Sequence, residues 1–260
     1  MKRMLKRSAT ARSFGKATAE DCITSDVKAV CEGANACGID EILLYDGHHA
    51  GSRAFNIKLE ELSENVRVFD TADRAFFWRR IRGQAAEAPF GLITVGQHAR
   101  FGEENAYFAH SIQTPPIKAI FINGRNIAEI GMAAYHFCGT RYLANIGCAA
   151  SMKEAKEIAP FVACIAVKDK RTGFLPDLRQ TYGLIKDGVI RAISEAERKE
   201  RIEIAPPYHF RMELTGGAAF RIPERFPWKG RFEQEAAEWE APSVEIGLEL
   251  FNNVRAQIGR

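Results

Sequence analysis

Several features that define specialised classes of protein are missing from this sequence of 260 residues. No apolar run approaches the ~18 residues that a membrane-spanning helix needs. The net charge of +3, from 36 basic and 33 acidic residues, gives no electrostatic case for binding nucleic acid or an anionic membrane. The six cysteines form no Cys-x-x-Cys pair. Reduced, mostly buried thiols in a cytoplasmic protein fit this usage better than a disulfide framework.

Nucleotide-binding signatures are also missing. No G-x-G-x-x-G motif and no phosphate loop follows any apolar segment, so a nucleotide-binding function is set aside. Hydrophobic residues make up 46% of the chain and charged residues 27%. These proportions are ordinary for a soluble globular protein, and the length is sufficient for a full hydrophobic core.

Short apolar segments alternate with helical patterns along most of the chain. This alternation predicts an α/β fold, with a layered, Rossmann-like sheet and flanking helices, over residues 21–204. Residues 1–20 are basic and polar and are interpreted as a tail. Beyond Pro206-Pro207, two extended segments and a helix predict a small C-terminal α+β subdomain at 205–260.

Some local signals are specific enough to predict particular structures. Gly38 is placed to end a helix over 19–37, and Asn123-Gly124 predicts a tight hairpin turn. The sequence from Ser151 to Glu154 has the spacing of a helix capping box. Residues 73–82, with three aromatics among arginines, predict a helix or a helical loop.

Potential metal or proton-transfer groups are concentrated between residues 46 and 131. His48 and His98 each follow an apolar strand, His110 lies in an aromatic segment, and Glu129 lies in an apolar stretch. Side chains beyond the carboxyl ends of parallel strands converge on one crevice. Three imidazoles and a carboxylate delivered in this way suit a hydrolytic metal site.

Each of these residues also has a structural interpretation. An isolated turn histidine such as His48 commonly binds backbone, and His110 suits aromatic packing. Glu129 needs a positive partner if it is buried, and Arg125 is available as that partner. Asp46 is placed either to hold its turn or to orient His48.

The same segments carry a family resemblance. Asp46-Gly47-His48, residues 96–100, residues 109–111 and residues 122–131 (INGRNIAEIG) resemble the M55 family of zinc D-aminopeptidases in order and spacing. The likeness extends more weakly from about Ile23 to the C-terminus. The resemblance implies that His48, His98 and Glu129 ligate metal and that His110 is catalytic. It also implies a ring-like homo-oligomer, for which the aromatic residues 76–78 are candidate contacts.

The sequence departs from the family at its beginning. Family members start with a strand that ends in Asp-x-Glu, whose carboxylates supply metal ligands and bridge two zinc ions. No such strand precedes Ile23 here, which leaves at most a single site with one zinc ion or none. Either the chain lacks its first strand or it is a degenerate member. We expect the missing strand to leave an unpaired sheet edge or a gap in the core.

The resemblance therefore implies a zinc metallopeptidase that hydrolyses N-terminal, D-configured residues from short peptides. The rival interpretation is a non-catalytic oligomeric protein that keeps the fold without the metal site. Convergence of His48, His98 and Glu129 on one point favours the enzyme. A site in which one of them points away, or in which Arg125 caps Glu129, favours the rival.

Overall fold

The computed structural model of the protein describes residues 17–47, 56–69, 89–112, 116–222 and 229–259. The predicted basic tail, His48 and the segment 73–82 lie wholly or largely outside these ranges. The described α-helices are α1 (Ala19–Ala36), α2 (Ile130–Tyr135), α3 (Met152–Ile158), α4 (Leu178–Ser194) and α5 (Val244–Arg255). None of the described helices has the length and apolar character needed to cross a membrane.

The strands within the described residues form three sheets. They are β1 (Ile42–Tyr45), β2 (Val66–Phe69), β3 (Leu92–Gln97), β4 (Ile117–Ile122), β5 (Arg125–Asn126), β6 (Tyr142–Cys148), β7 (Ala163–Lys168), β8 (Tyr208–Leu214), β9 (Gly230–Phe232) and β10 (Ala236–Ala241). Parallel strands alternate with helices in the first part of the chain. The predicted α/β class is therefore confirmed.

The parallel strands are divided between two sheets. β1 pairs with β2, and β3, β6 and β7 pair in that order, while no ladder joins the two groups within the described ranges. Helix α1 packs against both groups, because Val27 and Cys31 share one apolar cluster with Leu44 of β1 and Val95 of β3. The expectation of an unpaired edge or a gap remains a prediction, because residues 1–16 lie outside the described part of the chain.

The antiparallel sheet, in the order β5-β4-β8-β10-β9, combines strands from both sides of residue 205. Ile120 of β4 lies opposite Met212 of β8, and both are fully buried. Helix α5 covers this sheet, where Gly247 lies so close to Phe210 that no side chain fits between them. The predicted division at 205 remains a prediction, but the two segments share one sheet and one core.

Turn chemistry explains several of the element ends. Thr18 and Asp21 form a capping box at the start of α1, with N–H···O distances of 2.6 and 3.1 Å. Gly38 follows the helix with φ of 77°, as predicted. Asn123 and Gly124 both have positive φ, 49° and 77°, which is the geometry of a two-residue hairpin turn. The predicted hairpin between β4 and β5 is confirmed.

The predicted capping box at α3 is wrong. Ser151 has helical dihedrals and makes no capping hydrogen bond, because a 3₁₀ turn leads directly into the helix. Its hydroxyl instead donates to the carbonyl of Cys148 at 2.7 Å. Glu154, the expected second half of the box, turns inward and accepts a hydrogen bond from the N–H of Arg100.

Candidate metal centre

His98 and Glu129 meet in the interior of the protein. His98 directly follows the last residue of β3, and Glu129 immediately precedes α2. Their side chains are 8% and 10% exposed, and His98 Nε2 lies 3.3 Å from Glu129 Oε2. Two chain segments thirty residues apart in sequence therefore place a nitrogen and an oxygen ligand at one point.

His110 completes this cluster. Its ring stacks on that of His98 with centroids 3.7 Å apart and planes inclined by 22°. One ligand atom from each of His98, His110 and Glu129 lies within 4.8 Å of the others, so the three residues have the geometry to hold a metal ion. Phe108 packs its edge against the His110 ring at 4.7 Å and forms one wall of the cluster.

Backbone carbonyls orient both imidazoles in the same way. His98 Nδ1 lies 3.2 Å from the carbonyl oxygen of Ala99, and His110 Nδ1 lies 3.1 Å from that of Phe108. We assign the proton to Nδ1 in each ring, because only an N–H donor makes a favourable contact with a carbonyl. The Nε2 lone pairs are then directed to a ligand, as in histidines that bind metal.

The backbone is strained at two residues of the site, Ile112 and Glu129. Ile112 and Glu129 both have positive φ, 54° and 67°, although neither is glycine. Such conformations are costly, above all for a β-branched residue, and they concentrate at functional sites. Here they bring the Ile112 N–H to Glu129 Oε1 as a hydrogen-bond donor. Because Glu129 is not in a helical conformation, α2 begins only at Ile130.

Burial makes the charged form of Glu129 unfavourable. Desolvation, opposed by the Ile112 N–H and increased by the nearby Glu154 carboxylate, raises the pKa of Glu129 to about 8. A bound cation stabilises the ionised form, which is the ordinary reason for placing a carboxylate in such a position. Two imidazole nitrogens and a carboxylate oxygen also match the ligands that zinc prefers. The donor set therefore fits this metal.

The other candidate residues have separate places. His48 lies outside the described residues, so its part in the cluster remains a prediction. Asp46, 6% exposed, accepts hydrogen bonds from the backbone and side chain of Asn56 at 2.9 and 3.2 Å. These bonds join the two ends of the segment that contains His48.

The two arginines near the motifs, Arg100 and Arg125, interact with residues outside the cluster. Arg100 pairs with Glu157 at 3.0 Å, so its charge is already partly satisfied. Arg125, the alternative partner of Glu129, instead acts on Tyr135, where its positive charge opposes the rise in the pKa of the phenol that burial causes. The position of Arg125 is not the one that the rival interpretation requires.

Sequence analysis missed two residues of this region. The spacing from Ser151 indicates a capping role for Glu154, although a glutamate beside Ala155 on the inner face of a short helix is also a signal of burial. Ile112 gave no signal, because its contribution is a backbone N–H placed by an unusual φ angle. Neither feature is encoded by residue type alone.

A groove elsewhere on the surface contains none of these groups. It has a volume of about 710 Å³ and crosses the antiparallel sheet between Phe121 and Glu240. Its charged side chains pair with one another, as Arg211 does with Glu213 at 3.0 Å. Because these charges are mutually neutralised, the groove gives no indication of a ligand, and the buried cluster is the better candidate site.

Two imidazoles and a buried carboxylate, placed by strand and helix ends of an α/β fold, define the class of metal-dependent hydrolases as the candidate. Comparison with family models makes this assignment specific. The chain belongs to the peptidase M55 family, described as D-aminopeptidase, whose model matches residues 6–253. A search of curated proteins found no significant match.

A solved structure shows the same fold. It is described as the Zn-dependent D-aminopeptidase DppA from Bacillus subtilis, a self-compartmentalizing protease. The TM-score is 0.73 at 18% sequence identity, and the match covers 95% of this chain and 91% of the other. At this identity the similarity establishes the fold, while the site must be argued from the residues of this chain.

Proposed function

We propose that this protein is a metal-dependent aminopeptidase that removes N-terminal residues, D-configured ones in particular, from short peptides. The observation that carries the proposal is the convergence of His98, His110 and Glu129 within 4.8 Å, from three segments that resemble the family motifs. Membership of the M55 family supports the reaction class. We propose one zinc ion per chain, because the sequence contains no Asp-x-Glu motif to bridge a second.

The proposal assigns two roles to the site residues, metal binding and proton transfer. In the proposal His98, Glu129 and His48 hold zinc, which supplies polarisation of a carbonyl group and activation of water when it is bound. His110 gives or takes the proton, because an imidazole titrates near neutral pH and this ring is more exposed than that of His98. The Phe108 carbonyl keeps its Nδ1 occupied, so that proton exchange is directed to Nε2.

Elemental analysis of the purified protein tests the metal site. We expect about one zinc per chain in the wild type, as in a single three-ligand site, and loss of zinc in His98→Ala. The matched control is His209→Ala, whose side chain is 55% exposed on the antiparallel sheet and contacts Glu240. Zinc absent from the wild type, or retained in His98→Ala, would refute the proposed site and favour the non-catalytic alternative.

Hydrolysis assays test the reaction and the role of His110. D-alanyl and L-alanyl dipeptides are compared, and faster cleavage of the D-form is expected. His110→Ala should keep its zinc and lose roughly a hundredfold or more in kcat, the usual contribution of a proton-transfer group. Loss of zinc in this variant would instead make His110 a ligand.

We also propose that the protein forms a homo-oligomer. The DppA protein with the same fold is described as self-compartmentalizing, which supports assembly in this family. Light scattering after size-exclusion chromatography measures the mass directly. A mass equal to the 29.0 kDa of one chain would contradict the proposal.

A further inference from the structure

Glu154 is a second buried acid close to the cluster, and the roles assigned above do not include it. It is 6% exposed on the first turn of α3. Its Oε1 accepts the Arg100 N–H at 2.7 Å, while its Oε2 has no hydrogen-bond partner among the described residues. A buried carboxylate oxygen without a donor is costly, so a compensating positive charge is expected nearby.

The part of the chain that the structure describes supplies little of that charge. The Arg100 guanidinium lies near Glu154, but it forms its ion pair with Glu157 on the outer side of α3. The carboxylates of Glu103 and Glu157 add further negative charge around Glu154. Glu154 in turn acts on Glu129, one of the residues of the metal cluster. The Glu154 carboxylate therefore adds negative charge close to the cluster.

One peptide group connects Glu154 to both histidines. The carbonyl of Ala99 accepts the His110 backbone N–H at 3.1 Å and contacts His98 Nδ1 at 3.2 Å. The N–H of the same peptide group, that of Arg100, donates to Glu154. A carboxylate that accepts from a peptide N–H polarises the group, so its carbonyl becomes a stronger acceptor. When the carbonyl accepts more strongly from the Nδ1–H of His98, the other ring nitrogen, Nε2, becomes a better metal ligand.

We propose that Glu154 is a positioning residue for the metal centre, which it supports through the Ala99–Arg100 peptide group and through its own negative charge. The inference rests on the metal site proposed above. Glu154 does not contact the ion; it fixes and polarises the peptide that orients His98 and His110. In proteins such residues, one step removed from the metal, typically change metal affinity by 10–100-fold.

Two isosteric variants on one helix test this role. Glu154→Gln keeps the shape and a hydrogen-bond acceptor but removes the charge. Glu157→Gln is the matched control, because it removes a charge one turn away that pairs with the Arg100 side chain rather than with its N–H. Zinc affinity is measured by competition with a chelator at about pH 9, where buried carboxylates with a raised pKa are ionised. Thermal unfolding is measured on the same proteins without metal.

The expected result separates positioning from a purely structural role. Glu154→Gln should bind zinc about tenfold more weakly, while its metal-free form unfolds at the same or a higher temperature, because a buried unpaired charge has been removed. Glu157→Gln should stay within about twofold of the wild type, since exposed ion pairs contribute little. Glu154→Ala, which also removes the acceptor, should lose more affinity than Glu154→Gln.

Two outcomes would overturn the inference alone: wild-type zinc affinity in Glu154→Gln, or equal losses in Glu154→Gln and Glu157→Gln. If the first outcome comes with a lowered metal-free melting temperature, the role of Glu154 is structural only. Failure of the wild type to bind zinc is distinguishable from these, since it would remove the proposed metal site and this inference together.

Discussion

A substitution at Gly147 tests whether the fold sets the geometry of the metal site, because Gly147 is not one of the proposed ligands. It lies in β6 beside the end of β3, and a Cβ added to it would lie 2.0 Å from the carbonyl oxygen of Gln97. That distance falls roughly 1.4 Å short of ordinary contact at 3.4 Å. The obstructing atom belongs to the backbone, so no side-chain rotation relieves the clash. In Gly147→Ala the ends of β3 and β6 must therefore separate.

The displacement is transmitted directly to the site, because His98 is the next residue after Gln97. Metal ligands tolerate deviations of only about 0.2 Å, so a shift approaching 1 Å is expected to weaken zinc binding by at least about tenfold. Overpacking of this kind also costs about 1–3 kcal/mol of folding free energy. The variant should therefore lose both zinc affinity and stability, although every proposed ligand is still present.

The assay combines zinc competition with thermal unfolding in excess chelator. Gly183→Ala is the control, because Gly183 lies in α4 with open space where the Cβ would be placed. That substitution should leave zinc affinity unchanged and alter stability by less than about 1 kcal/mol, in the stabilising direction. Wild-type zinc affinity and melting temperature in Gly147→Ala would refute the argument that this close approach sets the position of His98.

Two further predictions concern stability. Burial, opposed by Lys168, raises the pKa of Asp26 in α1 from 3.8 to about 7, so the folded state loses stability as pH rises through this range. The free energy of unfolding of Asp26→Asn, compared with that of the wild type, should therefore rise by about 2 kcal/mol between pH 5 and pH 8, after allowing for the partial exposure of Asp26. Denaturant unfolding at the two pH values measures this, and an equal difference between variant and wild type at both would contradict it. Gly124→Ala, at φ of 77°, should cost about 1–2 kcal/mol in denaturant unfolding without loss of zinc, and an unchanged midpoint would argue against the hairpin geometry.

Much of the local structure could be predicted from residue type. Apolar segments predicted the strands before His98, and Gly38 and Asn123-Gly124 predicted ends and turns, because these features depend on backbone preferences within a few residues. Where two local signals competed, prediction failed. The Ser151–Glu154 spacing indicated a cap, but burial of Glu154 beneath the turn after β3 prevailed.

Residue patterns alone were enough to predict the α/β class and the family, and they indicated His98, His110 and Glu129, which lie together in the fold. The way in which these residues meet depends on the folded structure. The positive φ angles at Ile112 and Glu129, the pairing of β4 with β8, and the peptide between Ala99 and Arg100 all depend on contacts between distant segments. Local propensity carries no information on those contacts, since their energies arise only when the chain is folded.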